Sequence, residues 1–255
     1  MTAKHFVLAL VLAIPLTLAT SGAGGSAAHD ADVLVALGAG VAGTWETEIE
    51  FANLEDRSLS VFAGEQPNPF VCVTSPCGIA YSALPRNGTT RLTTTSGDFG
   101  RFTGRLFIGA NDAEELPTIR ARVVNRARPS QTIELPLFRR STLVAMNPGV
   151  LAFPFRIFSA GEHSNLFVSE IGLSSDLMVT IEAFAFSGER LSSTSRSLAP
   201  GETLFVVDVL AQLGVTGISE GQVRVTKTGG GGILWGLLST VSDDGRVAVA
   251  VGRHP

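Results

Sequence analysis

The sequence predicts an all-β chain, two tandem β-sandwiches behind an N-terminal export signal. Three observations carry that expectation. Short runs alternate apolar and polar residues with period two, turn residues separate the runs, and a strand pattern of the N-terminal half returns in the C-terminal half. The expected boundaries are residues 1–28 for the signal peptide, 29–148 for the first sandwich and 149–255 for the second.

The signal is read first. Lys4 is the only charged residue ahead of Asp30, and an apolar run from Phe6 to Ala19 is broken only by Pro15 and Thr17. That run is shorter than the ~20 residues a membrane-crossing helix needs. Small residues follow from Ser21 to Ala28, which completes the order a secretory signal requires. Cleavage is expected after Ala28, with Ala23 as the second choice, and no later stretch reads as a membrane span. The mature chain is therefore expected to be secreted, periplasmic or held at the cell surface.

Composition narrows the rest. A hydrophobic content of 45% suffices for a packed core, and a net charge of −4 offers no electrostatic reason to expect nucleic acid. Abundant Gly and β-branched residues, without long runs of strong helix formers, point to strands and turns. Cys72 and Cys77 are the only cysteines, and in an oxidising compartment such a close pair reads as a structural disulfide.

The internal similarity has two parts. Trp45-Glu46-Thr47-Glu48-Ile49 matches Phe167-Val168-Ser169-Glu170-Ile171, and the same spacing carries Leu59, Val61 and Ala63 onto Ile181, Ala183 and Ala185. Ile119–Val123 matches Val223–Lys227 at a smaller spacing, which implies an insertion in the first half between about Ala63 and Gly97. That window holds both cysteines and Asn87-Gly88, so the disulfide is expected in a loop the second half lacks.

Individual strands follow from alternation. Trp45, Thr47, Ile49 and Phe51 form a buried face against a solvated face of Glu46, Glu48 and Glu50. Leu59, Val61 and Ala63 alternate with Ser58 and Ser60, and Val179, Ile181 and Ala183 alternate with Thr180 and Glu182. Arg246–Val251 makes a last strand. Ser187-Gly188, Pro200-Gly201, Gly229–Gly232 and Asp243-Asp244-Gly245 read as turns, with the four glycines as a flexible tip. Asp208 is expected to cap one short helix from Val209 to Leu213, ended by Gly214.

Several of these segments together resemble a known module. They are the Trp/Phe-x-Thr/Ser-Glu-Ile strand, Ala199-Pro200-Gly201-Glu202-Thr203, Val206-Val207-Asp208-Val209-Leu210, Leu213-Gly214 and Gly221-Gln222-Val223-Arg224-Val225. The set is similar to tandem immunoglobulin-like β-sandwich modules of secreted bacterial proteins, most of which have no assigned function. The resemblance covers the chain well from about Val150 onward and the first half only at its ends. It implies a fold, and it brings no catalytic or ligand-binding residue with it.

The search for chemistry is brief. His5 lies in the expected signal, His29 at the expected new N-terminus and His254 beside the C-terminus, which leaves His163 as the histidine well inside a domain, and no Gly-x-Ser-x-Gly elbow accompanies it. Glu46, Glu48 and Glu50 could pair as acid and base in a glycosidase, but they read more simply as a solvated strand face. Asp243-Asp244 and Asn111-Asp112 with Glu114-Glu115 read as ordinary turns rather than calcium loops. Neither a metal nor a cofactor is expected, and no enzyme. Asn87-Gly88-Thr89 fits a glycosylation sequon. Trp45 and Trp235 belong to apolar patterns, which leaves Tyr81, beside the disulfide loop, as the exposed aromatic of interest. The expected function is a non-catalytic interaction or structural role outside the cell, with a protein or polysaccharide partner. The first place to look for binding is the loop from Gln66 to Asn87, stiffened by Cys72–Cys77, with Tyr81 and Asn87 as its candidate contacts. A carbohydrate-binding module is the alternative, and a hydrolase built on His163 ranks third.

Overall fold

The computed structural model describes residues 33–40, 45–65, 79–93, 102–111, 113, 115–128, 132–159, 161–242 and 247–252. The segment expected to be a signal peptide, Cys72, Cys77, Asp112, Glu114 and the turn expected at Asp243–Gly245 lie outside the described residues.

The first half contributes β1 (Leu34–Gly40), β2 (Trp45–Ala52), β3 (Leu59–Gly64), β4 (Ile79–Leu84), β5 (Thr89–Thr93), β6 (Phe102–Asn111), β7 (Thr118–Asn125), β8 (Thr132–Glu134) and β9 (Phe138–Arg139). Helix α1 (Arg140–Met146) leads into the second half: β10 (Val150–Arg156), β11 (His163–Glu170), β12 (Leu177–Ala185), β13 (Arg190–Leu198) and β14 (Thr203–Val206). Then come α2 (Val209–Gln212), β15 (Glu220–Gly229), β16 (Leu234–Val241) and β17 (Val247–Val251). The chain is all-β in class, and its strands pair antiparallel in four sheets.

Each half supplies two sheets, and the halves share one strand order. The first half gives β4-β3-β6-β1-β9 and β5-β2-β7-β8; the second gives β13-β12-β15-β10 and β14-β11-β16-β17. Advancing every label from β1 to β8 by nine converts one pair of sheets into the other. In an immunoglobulin sandwich strand B lies beside E and C beside F, with A on B and G on F. Here the second and fifth strands pair, and so do the third and sixth. The first strand, however, lies on the sixth and the seventh on the second, pairings that differ from the immunoglobulin order.

This order corrects the sequence alignment of the halves. The counterpart of β7 is β16, so Ile119–Val123 does not correspond to Val223–Lys227, which lies on β15. The spans joining β3 to β6 and β12 to β15 (65–101 and 186–219) are of nearly equal length, so the expected insertion disappears. Pro85–Gly88 in the first half and Ala199–Glu202 in the second both join fourth to fifth strands across a sandwich. The Trp45/Phe167 match also fails physically. Ile49 and Phe51 face the interior of the first half, whereas in β11 the interior of the second half receives Leu166 and Val168. An even spacing therefore lays inward residues of β2 over outward residues of β11; these two strands need an odd one, whereas the same even spacing keeps Leu59 and Val61 of β3 in step with Ile181 and Ala183 of β12.

The four sheets stack. The outer N-sheet (β5-β2-β7-β8) covers one face of the inner N-sheet (β4-β3-β6-β1-β9) through Ile49, Phe51, Ala121, Val61 and Ile108. The other face of the inner N-sheet meets the inner C-sheet (β14-β11-β16-β17), because Phe167, Trp235 and Leu237 belong to the same apolar cluster. A second cluster packs the inner C-sheet, through Leu166, Val168, Leu234 and Leu238, on the outer C-sheet (β13-β12-β15-β10). Both inner sheets are thus buried on both faces, and β6 buries Leu106, Phe107 and Ile108 in succession. Each such side chain contributes about 1.5–3 kcal/mol on burial.

Local signals were met at α2 and its flanks. The Asp208 carboxylate accepts from the Ala211 amide at 3.4 Å, and Gly214, at φ +70°, follows the helix. Gly229–Gly232 joins β15 to β16 as expected, but it is packed rather than a free tip. Gly230 has φ +79°, and a Cβ there would lie 2.1 Å from the Asp176 carbonyl oxygen. Helix α1 was not foreseen; among its residues only Leu143 packs on the apolar cluster.

Candidate functional site

The structure does not unite the residues singled out from sequence. Tyr81 lies on the edge strand β4 opposite Phe62, about half exposed, and partial burial pushes its hydroxyl pKa up. Asn87 is exposed in the β4–β5 turn at φ 51°, separated from Tyr81 by the rest of β4. That turn is held from below by Asn53, whose side-chain amide donates to the carbonyls of Arg57 at 2.7 Å and Pro85 at 3.0 Å. His163 opens β11, its Nδ1 3.5 Å from the Gly161 carbonyl oxygen. Among the described residues no group of three His, Cys, Asp or Glu could hold a metal ion, and no helix is long and apolar enough to cross a membrane.

The glutamates of β2 are not a solvated face. Glu46 and Glu48 are buried, and Glu50 is partly so. Arg122 on β7 reaches Glu48 at 2.8 Å and Glu50 at 3.1 Å, Arg91 on β5 reaches Glu50 at 2.9 Å, and Arg126 pairs with Glu46. Arg120 pairs with Glu134 on β8 at 2.5 Å. The outer N-sheet therefore carries alternating rows of opposite charge along neighbouring strands. Cross-strand pairing of this kind neutralises the face locally. It also occupies each carboxylate with a guanidinium, the opposite of the unpaired acid a glycosidase needs.

The seam between the halves holds the most heavily bonded group. Glu170, at the end of β11, is fully buried. Its carboxylate accepts from four backbone amides: Gly172 at 2.5 Å, Leu173 at 2.7 Å, Gly201 at 2.8 Å and Ile233 at 2.9 Å. One of them holds Leu173 at φ 68°, a left-handed conformation that costs a non-glycine residue about 1–3 kcal/mol. Two arginines of the first half grasp the carbonyls of the same segments. Arg140 donates to Ile171 and Gly172, both at 3.2 Å, and Arg105 donates to Gly201, to Thr203 Oγ1 at 3.4 Å and to the Glu65 carbonyl at 3.2 Å. Peptide groups of the second half thus lie between a buried carboxylate and two guanidiniums, and each polarises the next. Gly201, at φ +76°, admits no side chain, since a Cβ would stand 2.9 Å from the Arg105 guanidinium.

Burial lowers the Arg105 pKa to about 10, against the opposing pull of Glu170 and then Glu65. The Glu65 carboxyl is raised by its own burial, with Arg105 acting the other way. Two buried donors in the seam, Arg105 Nε and Trp235 Nε1, have no partner among the described residues. Trp235 packs edge-on against Phe138 with ring centroids 6.3 Å apart.

The open face of the outer C-sheet is of another kind. Alternation sends Leu151, Phe153, Val179, Ile181, Val223 and Val225 inward, and their neighbours form a polar outer surface. Across it Thr180 meets Ser195 at 3.1 Å, Arg190 meets Glu182 at 3.3 Å and Arg224 donates to Gln222 at 3.3 Å. One end of this face carries aromatic rings. The Arg224 guanidinium lies 4.4 Å from the centre of the Phe184 ring, and Arg156 lies 5.0 Å from that of Phe158. Phe158 and Phe186 are 75% and 80% exposed.

Sequence reasoning passed over these residues for identifiable reasons. Arg105 is isolated within Gly104-Arg105-Leu106, and Glu170 stands in the repeated Trp/Phe-x-Thr/Ser-Glu-Ile strand pattern, which marks a strand and carries no chemistry of its own. The available signal was the uninterrupted apolar character of Leu106–Ile108 and Ile233–Leu238, which marks strands covered on both faces. Compared with known proteins, the chain matches no family model, no curated protein and no solved structure.

Proposed function

We propose that this chain is an exported, non-catalytic interaction module, built of two immunoglobulin-like sandwiches with differently paired outer strands and joined face to face. Its place of work is the periplasm, the cell surface or the medium, and its partner a protein or a polysaccharide. The observation that carries the reading is the contrast between the two outer sheet faces. The outer N-sheet neutralises its own charges through Arg91, Arg122 and Arg126, while the outer C-sheet presents Phe158 and Phe186 to solvent. Buried charge elsewhere is used on backbone: Glu170, Arg105 and Arg140 bond peptide groups across the seam, a structural use rather than a catalytic one. The export element rests on Lys4, the apolar run and the small residues to Ala28.

Expression of the whole chain in a bacterial host with a periplasm tests both parts. The reading predicts a periplasmic protein beginning at His29, retained by isolated cell envelopes of the native host. An intact N-terminus in the cytoplasm, or no retention on envelopes or on any polysaccharide, would overturn it.

A further inference from the structure

We infer that the aromatic end of the outer C-sheet binds an extended, uncharged polysaccharide; the inference rests on the interaction-module reading and names its ligand. Strand register places the rings. Arg156 on β10 pairs with Glu220 on β15, and Gly221 pairs with Ala185 on β12, so Phe158 and Phe186 leave the same end of the sheet on either side of β15. The strands they follow, β10 and β12, stand two strand spacings apart, about 10 Å. That is on the scale of two sugar units in an extended chain.

The chemistry favours sugar over other occupants. A phenyl ring offers an apolar disc on which the C–H face of a sugar lies, and polar groups beside it meet the hydroxyl edge. Here each polar group is close at hand: Arg156 stands over Phe158, Arg224 over Phe184, and Gln222 and Glu220 occupy the strand between. Arg156 lies 3.9 Å from Glu220 and Arg190 3.3 Å from Glu182, while Arg224 stands over Phe184, faces Glu182 across the strands and donates to Gln222, and the Glu162 carboxylate takes the Phe158 amide; Glu162, Glu182 and Glu220 thus match the three arginines and leave no positive excess to draw a polyanion. The surface is the outer face of a four-stranded antiparallel sheet, which a long ligand can cross from strand to strand.

The test uses the full chain purified after export, with microcrystalline cellulose and chitin as neutral polymers and alginate as the anionic control. The expected result is retention on a neutral polymer, with none on alginate. The double substitution Phe158→Ala with Phe186→Ala should lower the affinity about tenfold or more, since two ring contacts are lost. Both residues are exposed, so the melting temperature of the double variant should match the parent. Tyr81→Ala, on the distant inner N-sheet edge, should leave retention unchanged. Retention that ignores the double substitution, depends on Tyr81, or occurs on alginate alone would overturn the site. Failure on every polymer while native envelopes still retain the chain would overturn the sugar and leave the module reading standing. Failure on both would remove both.

Discussion

Glu170→Gln is expected to lower the melting temperature by about 10 °C or more, at roughly 2–4 °C per kcal/mol for a chain of this size. The magnitude follows from the bonds. Four amides converge on a carboxylate that is shielded from water. Hydrogen bonds to a charged group are worth about 1.5–3 kcal/mol each, though not additively. Glutamine keeps one acceptor oxygen and turns an NH2 group toward the remaining amides, donor against donor. It also removes the charge that favours protonated Arg105. Burial depresses the Arg105 pKa to about 10, so below that pH its charge costs the folded state stability, and Glu170 offsets part of the cost. A combined loss of about 3–5 kcal/mol is the scale for breaking such a buried charge network. Differential scanning calorimetry of the parent and the variant at neutral pH checks it; a shift within about 3 °C would show that the amides find other partners.

Trp235→Ala is expected to cost about 3–5 kcal/mol, the range for truncating a large buried aromatic. Trp235 belongs to the apolar cluster of the first half although it sits on a strand of the second, and it packs against Phe138. The cavity would therefore open at the seam rather than inside either sandwich. Trp235→Phe makes a useful contrast. The indole N–H is buried without a partner among the described residues, so replacing it removes an unsatisfied donor along with some area. We expect that variant to stay within about 1.5 kcal/mol of the parent, as for a conservative core replacement. Equal losses for Ala and Phe in chemical denaturation would mean the indole nitrogen is satisfied in solution.

Much of the local structure was legible. The alternation in Leu59–Ala63 and Val179–Ala183 gave inward and outward residues, and Asp208 and Gly214 bracketed α2. Period two reports the face of a strand and says nothing about its neighbour, so strand order stayed hidden. That is why a similarity between β7 and β15 passed for equivalence. Polar alternation in Glu46, Glu48 and Glu50 suggested water, but arginines from β5 and β7 covered the carboxylates instead. Pairing across strands depends on residues distant in sequence, and composition cannot show it.

The candidate site was less legible still. Tyr81 is favoured by its position next to the expected disulfide loop, whereas the most exposed rings among the described residues, Phe158 and Phe186, sit just past the end of a strand and where a turn begins. In sequence they look like two more apolar residues of a core. Only the register of β10, β15 and β12 brings them to one end of the sheet.

The central claim is that the two halves unfold as a single body because they share the seam built from Arg105, Arg140, Glu170 and Trp235. Calorimetry of the exported chain tests it most directly. The account predicts one transition, with equal calorimetric and van't Hoff enthalpies as two-state behaviour requires. Two resolved transitions, each keeping its temperature when Trp235→Ala is introduced, would contradict it and make the seam a contact between independent units.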